Sequence, residues 1–364
     1  MRNQLNYLIS IIFIKPKMSK QSQRRLKIFN VFSQNLRWLK EEVNFVNYEF
    51  KDDYICPLCL KIFPVEKLNE KMGNSLTLED LPPASLGGKP LILTCRKCNS
   101  EAGYKLDSHL LNRLMELDFE QMIPGSKAKT KFKIGENEIT GTFKYQNDGS
   151  VVIDVRPQNS NPKQAGKFLG DLITTHKTPI TQDNIEEVIN GTKMSFAIKN
   201  LADERRAEIA LLRIAYFLAF NALGYGFILV NNPGLSLVRK QILNPDEIIL
   251  STPYWIKYDF EDEFLGINIV REPKNLRCFL VVFDLKTKNK IRRCGIALPG
   301  HIIDGEDIYK NIREILGQGD SSITHSVTIE NISQKDERYL NTKPQSVASH
   351  VFWKEFFNKS NSDS

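Results

Sequence analysis

Cys56-Pro57-Leu58-Cys59 and Cys95-Arg96-Lys97-Cys98 are the two short stretches on which the reading of this chain turns. A Cys-x-x-Cys turn brings both sulfurs within reach of one ion, and two such turns close a tetrahedral shell of four thiolates with no open position. The expected ion is Zn²⁺, held by Cys56, Cys59, Cys95 and Cys98, and its role is structural. Between the knuckles lies Leu78-Glu79-Asp80-Leu81-Pro82-Pro83-Ala84-Ser85-Leu86-Gly87-Gly88-Lys89. After them comes Asn99-Ser100-Glu101-Ala102-Gly103-Tyr104-Lys105-Leu106-Asp107. Leu76-Thr77-Leu78 reads as a short strand and Leu91-Ile92-Leu93-Thr94 as the strand that returns beside it. Pro82-Pro83 enforces extended backbone, and Gly87-Gly88 supplies a turn that needs positive φ. A helix from about Asn99 to about Leu117, with Leu106, Leu110, Leu114 and Leu117 on one side, completes a ββα arrangement.

Outward from this module the chain is ordinary in bulk. Its 364 residues suffice for two or three domains, and 41% hydrophobic with 26% charged residues suits a soluble globular protein with a sizeable core. The net charge of +7 fits a polyanionic partner without requiring one. Six cysteines in a chain this long point to a reducing compartment and zinc rather than to a secreted disulfide scaffold, so a cytoplasmic location is expected. Cys278 and Cys294 sit in apolar, strand-like settings and read as buried free thiols, with a disulfide between them as the weaker reading. Leu5 to Ile14 is apolar but far shorter than the roughly 20 residues that span a bilayer, and its basic residues follow it. It reads as neither signal peptide nor anchor, and residues 1–17 as an upstream extension of the reading frame before Met18.

Residues 1–40 hold nine Lys or Arg and no acid. Leu26, Phe29, Phe32, Leu36, Leu39, Val43 and Val46 keep a helical rhythm within 22–47, so this basic helix either lies on a phosphate backbone or packs against the zinc module with a solvated outer face. From Lys129 to Arg156 the period changes to two, with Phe132, Ile134, Ile139, Gly141, Phe143 and Tyr145, then Val151, Ile153 and Val155 beyond Asp148-Gly149. That is an antiparallel meander. Residues 157–166 are turn-rich and read as a linker. Asp203 to Ala222 reads as the longest helix of the chain, apolar nearly all round and therefore buried at a domain centre, with Arg213 retained inside it. A shorter helix is expected over Leu235 to Leu243. Ile248–Leu250, Leu265–Val270, Arg277–Leu285 and Lys290–Leu298 read as strands, the last two joined at Lys286-Thr287-Lys288-Asn289, and Ile308 to Leu316 as a helix. The tail after Gly317 is rich in Ser, Asn and Gln and is expected to be poorly ordered. There is no repeat, no phosphate-binding glycine loop and no nucleophile elbow.

At residues 56–110, about a sixth of the chain, the sequence resembles HNH endonucleases of the group in which two Cys-x-x-Cys knuckles bracket the catalytic hairpin. The resemblance rests on the four cysteines, Glu79-Asp80, Pro83, Ser85-Leu86-Gly87-Gly88-Lys89, Leu93-Thr94-Cys95, Cys98-Asn99, Gly103 and Leu106-Asp107. It implies hydrolysis of a DNA phosphodiester around one divalent ion, Mg²⁺ or a similar cation, separate from the zinc. Carried over by position, Glu79 is the acidic ligand of that ion and Asn99 the ligand from the helix. Asp80 stands where the family has its general-base histidine, and the family's middle asparagine falls near Pro90 or Leu91 and is missing. An aspartate with a pKa near about 4 is a weak base at neutral pH, a loss of about 10²- to 10⁴-fold in such catalysis. His109 does not replace it, because it lies roughly 15 Å along the helix from Asn99 at about 1.5 Å per residue; it reads as a surface histidine. His176 and His301 have no companions. Two plainer readings stand beside these roles: Glu79 and Asp80 as strand-end acids, and Asn99 as a helix cap. Lys89, Arg96, Lys97 and Lys105 are candidates for phosphate contact, or simply basic knuckle residues.

The expected fold class is therefore α+β. A zinc-stabilised ββα (treble-clef, HNH-like) module is followed by a larger α+β domain with antiparallel strands and a central buried helix. The expected segments are a basic extension at 1–49, the zinc module at 50–120, the meander at 121–160, the larger domain at 161–316 and the tail at 317–364. Three readings of function are expected: a metal-dependent DNA endonuclease weakened at Asp80, a degenerate module that binds nucleic acid or a protein partner without cleavage, or a partner-binding protein whose C-terminal domain carries the function with the zinc module as an adaptor. A membrane partner is not expected, and nothing in the larger domain names a partner.

Overall fold

The computed structural model describes residues 19–42, 53–135, 137–154, 180–199, 201–229, 233–250, 260–300, 308–311 and 328–333, with a few positions between 163 and 170 and between 343 and 347. The expectations for residues 1–17, for 157–162, for His176 and His301, for 312–316 and for most of the tail lie outside the described residues.

The first helix, α1 (Lys20–Glu42), buries Phe29, Phe32, Leu36 and Leu39 along the stripe its threes and fours define. At 23 residues it exceeds the 20 of the later apolar helix, so the expectation that the latter is longest is corrected. Two short strands, β1 (Asp53–Ile55) and β2 (Ile62–Pro64), pair antiparallel with Ile55 opposite Ile62, and the first Cys-x-x-Cys is the loop between them. A longer hairpin follows, β3 (Leu76–Leu81) with β4 (Lys89–Cys95). These strands run further toward the turn than their apolar cores suggested. Gly87 takes φ 88° and Gly88 lies so close to Pro82 that an added Cβ would meet its carbonyl oxygen at 1.4 Å, which lets Leu81 still pair with Lys89.

The expected single helix from Asn99 is instead three pieces beginning earlier: α2 (Arg96–Ala102), a π-turn over Gly103–Asp107, and α3 (Ser108–Glu120). Starting at Arg96, directly off β4, is what returns Cys98 to the other sulfurs one turn later. Leu106, Leu110 and Leu114 are buried as their spacing predicts.

A sheet with strand order β7-β6-β5-β8 comes next, from β5 (Lys127–Ile134), β6 (Asn137–Tyr145), β7 (Val151–Asp154) and β8 (Met194–Ile198). The first three form the expected meander, turning at Gly149 with φ 80°. The fourth joins β5 from beyond the short helix α4 (Ile185–Thr192), in a stretch where no strand was read. One face of this sheet closes over its own small core of Phe119, Phe132, Ile139, Phe143, Tyr145, Phe168 and Met194.

The buried helix α5 (Glu204–Leu223) is capped by Asp203, whose carboxylate accepts the Arg206 N–H at 3.0 Å. It ends at Gly224, where φ is 69° and an added Cβ would meet Asn35 Oδ1 at 2.5 Å. After one further turn at Tyr225–Ile228 comes α6 (Pro233–Leu243). No strand forms at Ile248–Leu250: the side-chain oxygen of Gln241 accepts the N–H groups of both Ile249 and Leu250 at 3.0 Å, curling this apolar run back onto α6.

The last sheet is antiparallel with order β11-β10-β9-β12, from β9 (Gly266–Glu272), β10 (Cys278–Lys286), β11 (Ile291–Pro299) and β12 (Thr328–Asn331). The edge strand β12 comes from the stretch read as a tail. A single hydrophobic core runs from α1 through the knuckle, the β3–β4 hairpin and α5 to this sheet. The chain is thus mixed α and β with antiparallel sheets, and among the described residues no helix is long and apolar enough to cross a membrane.

Candidate functional site

Cys56 and Cys59 come from the β1–β2 loop, Cys95 from the end of β4 and Cys98 from the first turn of α2, and their four sulfurs all lie within 4.8 Å of one another. The Cys59 and Cys95 sulfurs are 3.8 Å apart. That is the edge expected of a tetrahedron whose metal–sulfur bonds are about 2.3 Å long. The donor set is all sulfur, three of the four residues are buried, and the Cys95 N–H points at Cys56 Sγ at 3.5 Å. The cluster can hold a metal ion such as zinc. Within the cluster, hydrogen bonding from Cys56 pulls the thiols of Cys59 and Cys95 down, the latter to about 7, while hydrogen bonding with Cys59 and with Cys56 pushes the thiols of Cys56 and Cys98 up.

Three tyrosines hold this centre together and, through two of them, to the rest of the protein. Tyr54 donates to the Leu93 carbonyl at 2.7 Å and accepts the Leu93 N–H at 3.1 Å, tying β1 to β4. Tyr225 treats Ile55 in the same way, at 2.9 and 2.8 Å, and Tyr216 of α5 donates to the Pro57 carbonyl inside the knuckle at 2.9 Å. Each hydroxyl answers backbone groups that strand pairing leaves over, which is the condition for burying them.

The residues that the resemblance singled out have distinct partners. Glu79 is 3% exposed and turns into the core. Its Oε2 accepts the Thr94 hydroxyl at 2.9 Å, and its Oε1 accepts Arg213 Nη1 of α5 at 2.6 Å. Arg213, 1% exposed, also gives Nη2 to both carboxylate oxygens of Asp107, at 2.8 and 2.7 Å, and its guanidinium lies 5.3 Å from the centre of the Phe217 ring. Burial pushes the Glu79 carboxyl up, against the pull of Arg213, and Asp107 adds to the rise. Burial opposes the charge of Arg213 as well, yet Glu79 and Asp107 outweigh it and hold the guanidinium above the ordinary arginine range.

The ladder is irregular between Glu79 and Asp80, and Asp80 is only half-buried. Partial burial raises its carboxyl, with Arg24 of α1 acting the other way. Asn99, in the first turns of α2, donates its amide to the Thr77 hydroxyl and the Leu78 carbonyl, both at 3.0 Å, fixing the helix to β3. His109 is half-buried rather than on the surface: its Nδ1 accepts the N–H of Asp203, the cap of α5, at 3.0 Å.

The four basic candidates do not form one patch. Lys89 opens β4 and Arg96 follows its end, so the two are about 23 Å apart at about 3.3 Å per residue. Arg96 donates to the Glu70 carbonyl at 2.9 Å, the exposed Lys97 lies 3.9 Å from Glu101, and Lys105 is half-buried with its carbonyl accepting Arg206 at 3.3 Å. At the Lys89 end, Arg24 donates to the Pro90 carbonyl at 2.8 Å and Lys286 packs on Gly87.

Arg213 and Asp107 are the members of this site to which no role was given from sequence. The available signal was a single charge kept inside an otherwise apolar helix, which must find a partner when buried. A second buried pair joins Arg292 with Asp118, and the Thr287 hydroxyl also donates to Asp118, at 2.7 Å.

The fit to a second, divalent ion fails in this arrangement. Both Glu79 oxygens are engaged, and a guanidinium fills the space between Glu79 and Asp107. Comparison with known proteins finds no matching family model, no matching curated protein and no matching solved structure.

Proposed function

We propose that this chain is an HNH-derived, treble-clef protein that binds nucleic acid through a zinc-scaffolded ββα module and does not cleave it. The observation that carries the reading is the Glu79–Arg213–Asp107 cluster. In the nuclease that residues 56–110 resemble, an acid on the first strand and an Asn on the helix would share a divalent cation. Here a fixed organic cation already neutralises that acid, and the position of the general base is an aspartate. The module keeps its sulfur cluster, its hairpin and its exposed basic residues Lys89, Arg96 and Lys97, which suit contacts to phosphate. DNA is the proposed partner, and Zn²⁺ the proposed structural ion.

A cleaving version of the same module requires Glu79 to part from Arg213 and take up Mg²⁺ with Asn99. The test incubates the full-length protein with labelled duplex and with supercoiled plasmid in Mg²⁺ or Mn²⁺. Salt-sensitive binding with intact plasmid is the expected result. Absence of binding overturns the proposal. Nicking that disappears in both Glu79→Ala and Asn99→Ala overturns its non-cleaving half and establishes the nuclease.

A further inference from the structure

The sheet β7-β6-β5-β8 has two unlike faces. Phe132 and Thr130 of β5 point with Ile139, Phe143 and Met194 into the small core. The alternate residues of β5 are Lys127, Lys129, Lys131 and Lys133, and all four are exposed. The register extends this charge sideways. Lys144 of β6 lies opposite Lys127, and Lys199, whose N–H donates to the Lys129 carbonyl, follows the end of β8 on the same side. The other residues that the pairing places on this face are Thr140, Thr142, Ser195, Ala197 and Val152, with Glu138 and Asp154 as its acids. Glu138 is opposite Lys133 and pairs with Lys131 at 2.9 Å, both side chains more than half exposed, so water competes for the contact. Glu116 and Glu120 of the neighbouring α3 are engaged elsewhere, by the N–H groups of Leu201 and Ala202 and by Arg113.

Same-face neighbours on a strand are about 6.7 Å apart, inside the Debye length of about 8 Å at physiological salt. Four ammonium groups in one row therefore repel one another and weaken the strand that carries them, as like charges on one sheet face do. The row projects a continuous positive potential from a rigid, hydrogen-bonded element, and at its Lys127–Lys129 end a groove opens against α3, lined by Met115, Phe119, Thr142, Lys199 and Leu201. Its counterpart is an extended, evenly charged polyanion.

We propose that this sheet face is a second contact surface for the phosphodiester backbone of a nucleic acid, with the lysine row of β5 as its centre. The inference rests on the nucleic-acid reading above and adds to it a surface outside the zinc module that reads charge and not sequence. Because all three central lysines are exposed, neutralising them leaves the core untouched.

The test uses the full chain and fluorescence anisotropy with two probes, a mixed-sequence DNA duplex and its isolated single strand. Wild type is compared with Lys129→Gln/Lys131→Gln/Lys133→Gln and with a control that removes the same charge from exposed positions off this sheet and outside the zinc module, Lys240→Gln/Lys274→Gln/Lys310→Gln. The expected result is an affinity loss of about tenfold or more, and a salt slope of log K smaller by about one per lysine, in the sheet variant only. Loss on the duplex alone or on the single strand alone identifies which form of backbone the face accepts. Wild-type binding with the same affinity and slope in the sheet variant, or an equal loss in the control, overturns the proposal while leaving the zinc-module reading intact. Failure of wild type to bind either probe overturns both.

Discussion

Arg213 Nη1 stands 2.6 Å from Glu79 Oε1 across 134 residues of sequence, with both side chains buried. A buried ion pair of this kind is strongly destabilising when one partner is removed, because the other is left charged and dry; losses of about 3–5 kcal/mol are typical. Removing both partners together is far milder. We expect Arg213→Met to lower stability by about that amount, and Glu79→Leu/Arg213→Met to recover a large part of it. Urea denaturation of the two singles and the double measures the coupling. Additive losses would mean that the pair contributes nothing as a pair.

The sulfur cluster is fastened by Tyr216 and Tyr225 to helices that also support the last sheet, and one core passes through all of them. Zinc removal is therefore expected to loosen more than residues 50–120. Structural zinc sites contribute apparent binding energies of about 10–16 kcal/mol that appear as folding energy. Protein purified under reducing conditions is expected to carry about one zinc per chain. Chelation is expected to abolish the near-ultraviolet signal of the buried tyrosines and the main thermal transition together. Separate transitions, one chelator-sensitive and one indifferent, would contradict this coupling.

What was legible beforehand follows a physical divide. The Cys-x-x-Cys pairs, Gly87-Gly88 and Asp148-Gly149 are local signals, since the chemistry of each turn needs those residues wherever the chain goes next. The partners of a lone buried charge are not local: Arg213 was visible inside α5, but Glu79 and Asp107 lie 134 and 106 residues away. The same limit hid β8, whose pairing with β5 closes a sheet across more than fifty residues, and β12, a four-residue edge strand in polar surroundings. Ile248–Leu250 failed in the opposite direction. Its short apolar run reads as a strand, yet the N–H groups of Ile249 and Leu250 are taken by the Gln241 side chain.

Cys278 faces Pro299 and Cys294 faces Phe283, so the two thiols are five rungs apart in the β10–β11 ladder, about 17 Å, where a disulfide needs Cα atoms within about 7 Å. Burial pushes each thiol up to about 12. The thiolate is the reactive form, so at pH 8 both stay protonated and inert. Iodoacetamide is expected to leave Cys278 and Cys294 unmodified in the zinc-loaded native protein and to label both after denaturation. Rapid native labelling at either position, read by peptide mass spectrometry, would show that the sheet opens.

Tyr225→Phe isolates the contribution of one hydroxyl to the metal centre. The phenol donates to the Ile55 carbonyl and accepts the Ile55 N–H, one residue before Cys56, and no other bond to either group is seen among the described residues. Phenylalanine keeps the ring contacts with Phe32, Phe220 and Tyr54, so the packing is preserved while two buried backbone groups lose their partner. A cost of about 1–3 kcal/mol follows for each buried group left unsatisfied. Because that loss falls beside the first cysteine of the sulfur cluster, bound zinc is expected to leave faster, and we expect both a lower thermal midpoint and a shorter half-time of zinc release to a chromogenic chelator. A thermal shift with unchanged zinc release would assign Tyr225 to packing alone. An unchanged protein in both assays would mean that water reaches Ile55 and that the knuckle is not sealed by α5 and the turn after it.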